Sequence, residues 1–276
     1  MFELGLSTCG NKLNGGAAFF GECRAAGVRC LEITPSSAYV PDFDWKGTKK
    51  LADEYGIRLW SFHLPFAPFE CFDISSEREE LRRASLDVCR ILMDRAAECG
   101  IPHVIIHPSG EPIAPERRGA RMAAAKESLK TLAQEAADRN VTVCAEDLPR
   151  TCLGRDSAEI LELIGVDERL RVCFDTNHLL TEDPADFVRR VGKKIVTLHV
   201  SDYDGIDEKH WLCGEGITDW PALTAALRET GYAGPWLYEV GFDAPASMPR
   251  SRRLTCADFA RNAREAQGGG PVTRVR

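Results

Sequence analysis

The chain has no apolar run of the ~18 residues that a membrane-spanning helix needs, which excludes a helical membrane protein. The opening Met1-Phe2-Glu3-Leu4-Gly5 has neither a basic flank nor a small-residue cleavage site, so no secretory leader is expected and the expected location is the cytoplasm. No two of the 11 cysteines stand in a Cys-x-x-Cys pair, and their number is odd. Reduced, mostly buried thiols are expected rather than a disulfide framework or a zinc knuckle. Positive charge is also short: 35 basic side chains face 42 acidic ones, for a net charge of -7. Such a field repels phosphate polymers, so a nucleic-acid partner is not expected. A Gly-rich dinucleotide fingerprint is missing after the first strand, where Asn14-Gly15-Gly16 does not match it.

What is present is ordinary globular material, with 44% hydrophobic and 28% charged residues in 276, which argues against wholesale disorder. Short apolar or β-branched runs alternate with helical segments from end to end. Eight runs can be counted: 3–8, 30–34, 57–63, 103–107, 141–146, 171–175, 195–200 and 236–240. Between them, Leu81, Ala84, Val88, Leu92, Ala96 and Cys99 recur at spacings of three and four and line one helix face, with Gly100 as the stop. Met122, Ala125, Leu129, Leu132 and Ala136 repeat the pattern, as do Leu223, Ala226 and Leu227 behind Thr218-Asp219. Shorter helices fit 156–166 and 184–192. The run Glu77 to Glu80 reads as a solvated helix start, with acids placed favourably for the dipole.

Strand and helix in alternation imply parallel strands, because each parallel return needs a crossover. Eight such units in about 250 residues give the size of a closed (β/α)8 TIM barrel. The expectation is one barrel domain over residues 1–266, followed by a loose tail, 267–276, rich in glycine.

Barrel enzymes keep their chemistry at the C-terminal ends of the strands. Those ends read His63, His107, Glu146, Asp175, His199 and Glu239, with His178 and His210 on the loops that follow. Three carboxylates gathered in one desolvated bowl repel one another, by roughly 4 kcal/mol per pair at ~4 Å and an effective dielectric near 20, and need a cation. Glu146, Asp175, His199 and Glu239 form an oxygen-rich set with one imidazole. That set suits one divalent ion, Mn2+, Mg2+, Co2+ or Zn2+, with positions left for substrate. Phe66 and Trp211, on loops at the mouth, could wall a ligand pocket. Glu32, near the end of the second strand, could orient a substrate hydroxyl or a metal-ligating histidine. The turn Gly214-Glu215-Gly216 fits a tight turn better than a phosphate cradle.

The segments His63-Leu64-Pro65-Phe66, Ile106-His107-Pro108-Ser109, Ala145-Glu146-Asp147-Leu148-Pro149 and Phe174-Asp175-Thr176-Asn177-His178 resemble the xylose isomerase-like barrel superfamily. So do Leu198-His199-Val200-Ser201-Asp202, Gly214-Glu215-Gly216 and Tyr238-Glu239-Val240. The resemblance covers the chain apart from the tail. It implies a metal held by Glu146, Asp175, His199 and Glu239. In its ketose-epimerase branch the two glutamates also transfer the proton, with His178 on the substrate side. His63, His107, Phe66, His210, Trp211 and Glu32 complete the expected substrate contacts. Paired barrels are common in that superfamily, so a homodimer is compatible with it.

The expected reaction is isomerisation or epimerisation of a small sugar, keto-polyol or related hydroxy-carbonyl compound through an enediolate. Inosose-type dehydration begins with the same proton abstraction. The zinc-dependent apurinic endonucleases of the superfamily are the rival. Their ligand types match His63, His107, Glu146, Asp175, His178, His199, His210 and Glu239, although Glu208 stands where they have aspartate. Loops 65–71, 109–112 and 202–205 at the mouth are apolar or acidic, and with Ser7 to Lys12 they suit a polyol better than a phosphate backbone. Arg150, Arg155 and Lys209 are the exceptions. A barrel that binds a metabolite without turnover is the third reading.

Overall fold

In a computed structural model, residues 1–9, 16–35 and 43–275 are described; Lys12 and the Asn14-Gly15 pair lie outside them. Among these residues eight strands alternate with eight α-helices. The strands are β1 Leu4–Ser7, β2 Cys30–Ile33, β3 Arg58–His63, β4 His103–Ile106, β5 Thr142–Glu146, β6 Arg171–Asp175, β7 Ile195–His199 and β8 Trp236–Tyr238. The helices are α1 Gly16–Ala26, α2 Trp45–Tyr55, α3 Glu79–Glu98, α4 Arg118–Ala137, α5 Ser157–Ile164, α6 Pro184–Val191, α7 Trp220–Glu229 and α8 Cys256–Gly268. Neighbouring strands pair in parallel in the order β7-β6-β5-β4-β3-β2-β1-β8. The seam between β7 and β8 is joined by a parallel bridge, Val200 to Tyr238, with Val200 N donating to Leu237 O at 2.8 Å and Glu239 N to Val200 O at 3.1 Å. This is the expected (β/α)8 barrel.

Strand alternation decides what the barrel holds. Val143 and Ala145 of β5 and Val172 and Phe174 of β6 join the large apolar shell between barrel and helices. Cys144 and Cys173 face the other way and pack with Ile105 in a small inner cluster. Two residues further along the same inward face come Glu146, Asp175 and His107, by the period of two. The inner filling is compact. At Gly5 an added Cβ would come within 2.8 Å of Cys30 Sγ and 3.2 Å of Leu237.

Caps fix the helices where the sequence placed them. Asp156, Asp183 and Asp219 accept hydrogen bonds from the first turns of α5, α6 and α7, each satisfying N–H groups with no partner inside the helix. All 11 cysteines are free thiols, nine of them buried. No described helix is long and apolar enough to cross a membrane.

The tail departs from expectation. Position 267 falls inside α8, where Gln267 Oε1 accepts from Phe2 N at 2.6 Å. After Gly269 turns the chain in the left-handed region (φ 74°), Val272 packs against Gly214, Val275 is buried, and Arg274 Nε donates to Gly214 O at 3.0 Å. The glycines mark a helix C-cap rather than a loose end.

Candidate metal and substrate site

The ends of β5, β6 and β7 and the residue after β8 bring Glu146, Asp175, His199 and Glu239 together. One ligand atom from each lies within 4.8 Å of all the others, and all four residues are buried. His199 Nδ1 is 2.8 Å from Glu146 Oε1, 3.2 Å from Glu239 Oε2 and 3.9 Å from Asp175 Oδ2. Asp175 Oδ1 accepts from the backbone N and side-chain Nδ2 of Asn177, both at 2.8 Å, whereas the buried Oδ2 has no hydrogen-bond partner. A buried carboxylate oxygen without a partner is costly. Here it faces the other three donors, as a ligand to a cation would. Among the described residues neither Lys nor Arg neutralises the group; its ion-pair partners there are histidines. These residues fit a divalent cation with oxygen and nitrogen ligands.

Around this group stand the other expected histidines. His63 Nε2 lies 3.1 Å and His107 Nε2 3.3 Å from Glu146 Oε2. The His63 ring is held from behind by its Nδ1–H to Leu64 O at 2.7 Å. His178 Nδ1 donates to Asp147 O at 2.8 Å, leaving Nε2 turned toward Asp175 Oδ2 (3.6 Å) and Glu208 Oε2 (3.7 Å). His210, in the left-handed region at φ 50°, donates from Nδ1 to Glu239 O at 3.1 Å. A non-glycine residue held there stores backbone strain, a feature that clusters at functional sites.

Electrostatics sort these groups. Burial pushes the Glu146 carboxyl up, but the His199 charge and hydrogen bonds from three histidines outweigh it and hold it well below the usual range. For Glu239, burial wins over the attraction of His199 and His210, so its carboxyl is raised. Burial opposes protonation of His63 and His178, yet the carboxylates beside them carry both up to about 9. His107 goes the other way, because its burial outweighs Glu146.

Above the carboxylates lies a cavity of about 150 Å³ lined by His63, Phe66, His107, His178, Glu208 and His210 among others. It shares His63, Phe66, His210 and Glu239 with a second cavity of about 430 Å³ whose further walls include Thr34, Pro35, Leu64 and Pro65. A larger hollow of about 930 Å³ opens between α2 and α3, on the outer helical layer and away from these groups. Phe66 stacks on His107, with ring centroids 4.5 Å apart.

Two of the expected contacts line neither cavity, and of the two roles read for Glu32 its geometry favours the one beside a histidine, His199, at 3.0 Å. Glu32 is 0% exposed and lines neither cavity. Its register partners are Ser7 and Ser61, and Ser61 sits two residues before the rim residue His63, so Glu32 belongs one layer below the mouth. Trp211 is also turned away: it pairs with Asp202 through the backbone and donates from Nε1 to Ser247 Oγ at 3.0 Å. Trp236, another aromatic of the apolar runs, is buried beside Phe2 and Trp220. Sequence reasoning passed over Asp147, whose Oδ1 accepts from Asp175 N at 2.7 Å, and Asn177, which positions Asp175. Their adjacency to Glu146 and Asp175 was the available signal.

A family model described as xylose isomerase-like TIM barrel matches residues 20–256. The chain belongs to that family. Among curated proteins, this xylose isomerase-like barrel is 25% identical over 246 residues to fructoselysine 3-epimerase of Escherichia coli O157:H7, covering 84% of this chain and 88% of that one. It is 26% identical over 211 residues to an uncharacterised protein of Methanocaldococcus jannaschii, covering 73% and 71%. Among solved structures, L-ribulose 3-epimerase superposes with a TM-score of 0.80 at 19% identity, over 97% of this chain and 94% of that one. A D-tagatose 3-epimerase-like protein gives 0.76 at 23%, over 86% and 89%. At these identities the structural likeness establishes the fold.

Proposed function

We propose that this barrel is a divalent-metal-dependent epimerase or isomerase of a small keto sugar or polyol, working through an enediolate. The observation that carries the reading is the convergence of Glu146, Asp175, His199 and Glu239 beneath a small cavity, with Asp175 Oδ2 buried and unpartnered. The curated fructoselysine 3-epimerase relative supports the same reaction class. A divalent cation on these four residues would act as a Lewis acid toward the oxygens of the substrate. The chain's own residues do the rest. Glu146 and Glu239 both reach the cavity, so one carboxylate can remove the proton next to the carbonyl while the other returns it. His178, fixed through Nδ1, presents Nε2 to the same space and can donate to the oxygen that gains charge. Water loss from the same intermediate would make the enzyme a dehydratase.

The test is solvent deuterium incorporation across a panel of ketoses and inososes, run with Glu239→Gln beside the wild type. Loss of a positioned acid–base group costs on the order of 10²–10⁴-fold. Incorporation should fall by that factor while circular dichroism is unchanged; an unaltered rate would remove Glu239 from the chemistry.

One observation favours the rival, a zinc-dependent apurinic endonuclease: His63, Glu146 and His199 form a second potential ligand group. The charges at the mouth oppose it. Arg150 is bound to Glu111, Asp207 and Glu208, Arg155 to Glu159 and Asp156, and Lys209 to Asp204. Cations already paired with carboxylates are poor partners for phosphates. Incision of an abasic-site oligonucleotide in the presence of Zn2+ would reverse the ranking.

A further inference from the structure

Glu32 is a buried carboxylate with no lysine or arginine beside it among the described residues. Its ion-pair partner is His199, whose Nε2 lies 3.0 Å from Glu32 Oε2. Ser61 Oγ donates to the same oxygen at 2.7 Å, and Thr34 Oγ1 donates to Oε1 at 3.2 Å. Thr34 Oγ1 is in turn 2.9 Å from Ser7 Oγ, and Thr34 N donates to Thr8 Oγ1 at 2.8 Å. Residues at the ends of β1, β2 and β3 thus clamp one carboxylate against the back of a ring contributed by β7, across the barrel axis. The imidazole has two nitrogens. With Nε2 engaged by Glu32, Nδ1 is the one aimed at Glu146, Glu239 and Asp175.

We propose that Glu32 is a positioning residue for the metal centre. It fixes the rotation and tautomer of His199, so that Nδ1 is delivered to a divalent cation while Nε2–H donates to Glu32. The inference rests on the metal-dependent reading above and adds to it a residue that touches neither cation nor substrate. A carboxylate behind a ligating imidazole holds the ring and raises its basicity, and losing such a partner costs metal affinity about 10–100-fold. Ser61 serves the same end one step further back, because it pins the Glu32 oxygen that faces the ring.

The experiment titrates Co2+ into chelator-stripped protein. Affinity is read by calorimetry, and ligand geometry by the visible absorption of the bound ion. Wild type should take up one Co2+ per chain. Glu32→Gln keeps the size of the side chain and an accepting oxygen but removes the charge; it should bind about 10-fold more weakly with an altered visible spectrum. Glu32→Leu should lose about 100-fold, and Ser61→Ala should fall between wild type and Glu32→Gln. Thermal unfolding of the stripped Glu32→Gln protein should match that of stripped wild type, which separates positioning from general support of the core. Unchanged Co2+ affinity and spectrum in Glu32→Gln would overturn the proposal, even if Glu32→Leu does not fold. Failure of the wild type to bind Co2+ would instead overturn the metal-dependent reading, and this inference with it.

Discussion

Asp175 shows how one side chain can be split between two tasks. Oδ1 is consumed by Asn177, which locks the carboxylate plane, and Oδ2 is left bare and buried. Asp175→Asn would keep the shape but remove the charge that a cation needs and place an amide against Glu146 and His199. Metal content measured by plasma mass spectrometry should drop from about one ion per chain to a small fraction of that, with the fold retained. A full complement of metal in that variant would contradict the ligand assignment. His178 makes a second test at this scale. His178→Asn removes a group that lines the cavity without belonging to the four proposed ligands. The expected outcome is lower kcat with unchanged metal content, the loss lying in the 10²–10³-fold range found for single oxyanion donors.

Among the elements, α8 gives the clearest energetic test. Thr255 and Asp258 form a reciprocal capping box at its start, and Arg252 pairs with Asp258. The Arg252 hydrogen bonds hold the Asp258 carboxyl far below its ordinary range, against the opposing effect of burial. Its folded value is depressed, so its contribution is complete above the unfolded value near 3.9 and is lost as the pH falls through the folded one. Asp258→Asn should destabilise the protein by about 1 kcal/mol at pH 7. That deficit, measured by urea unfolding, should shrink below about pH 4; a deficit constant with pH would assign the effect to shape alone.

The elements also show what the sequence could and could not say. All eight strands were legible because each is a short apolar run closed by a polar residue. The helices α3, α4 and α7 were legible from their apolar spacing. The helix α8 was not: beside Phe259 its buried face mixes the small Cys256, Ala260, Ala263 and Ala266 with the polar Asp258, Asn262 and Gln267, which leaves little periodic contrast. The helices α1 and α2 also went unmarked, one opening on glycine and buried only through Phe19, Phe20 and Cys23, the other through Thr48 and Ala52. The convergence of Glu146, Asp175, His199 and Glu239 could be read because a strand end fixes height along the barrel. What the sequence leaves open is the choice between the two roles read for Glu32 and the direction of the Trp211 side chain, because height within one residue pair and the aim of a loop side chain depend on register and on partners such as Ser61 and Ser247 that lie far away in sequence.

At the scale of the molecule, metal binding and folding should be one equilibrium. An ion that binds only the native barrel stabilises it by mass action, about 2.7 kcal/mol when present at 100 times its dissociation constant. Chelation should therefore lower Tm in wild type and leave Asp175→Asn unmoved, as read by scanning calorimetry. The net charge of -7 adds a long-range bias in favour of cations and against polyanions.

Arg150 binds Glu111 on the loop after β4 and Asp207 and Glu208 on the loop after β7, so three of the loops around the mouth are tied by one guanidinium. That side is a wall. The open side lies opposite, past the 40% exposed ring of Phe66 and the space it shares with Thr34 and Pro35, and Phe66→Trp should slow entry of whatever ligand the cavity takes, read as a lower association rate, without disturbing the carboxylates below.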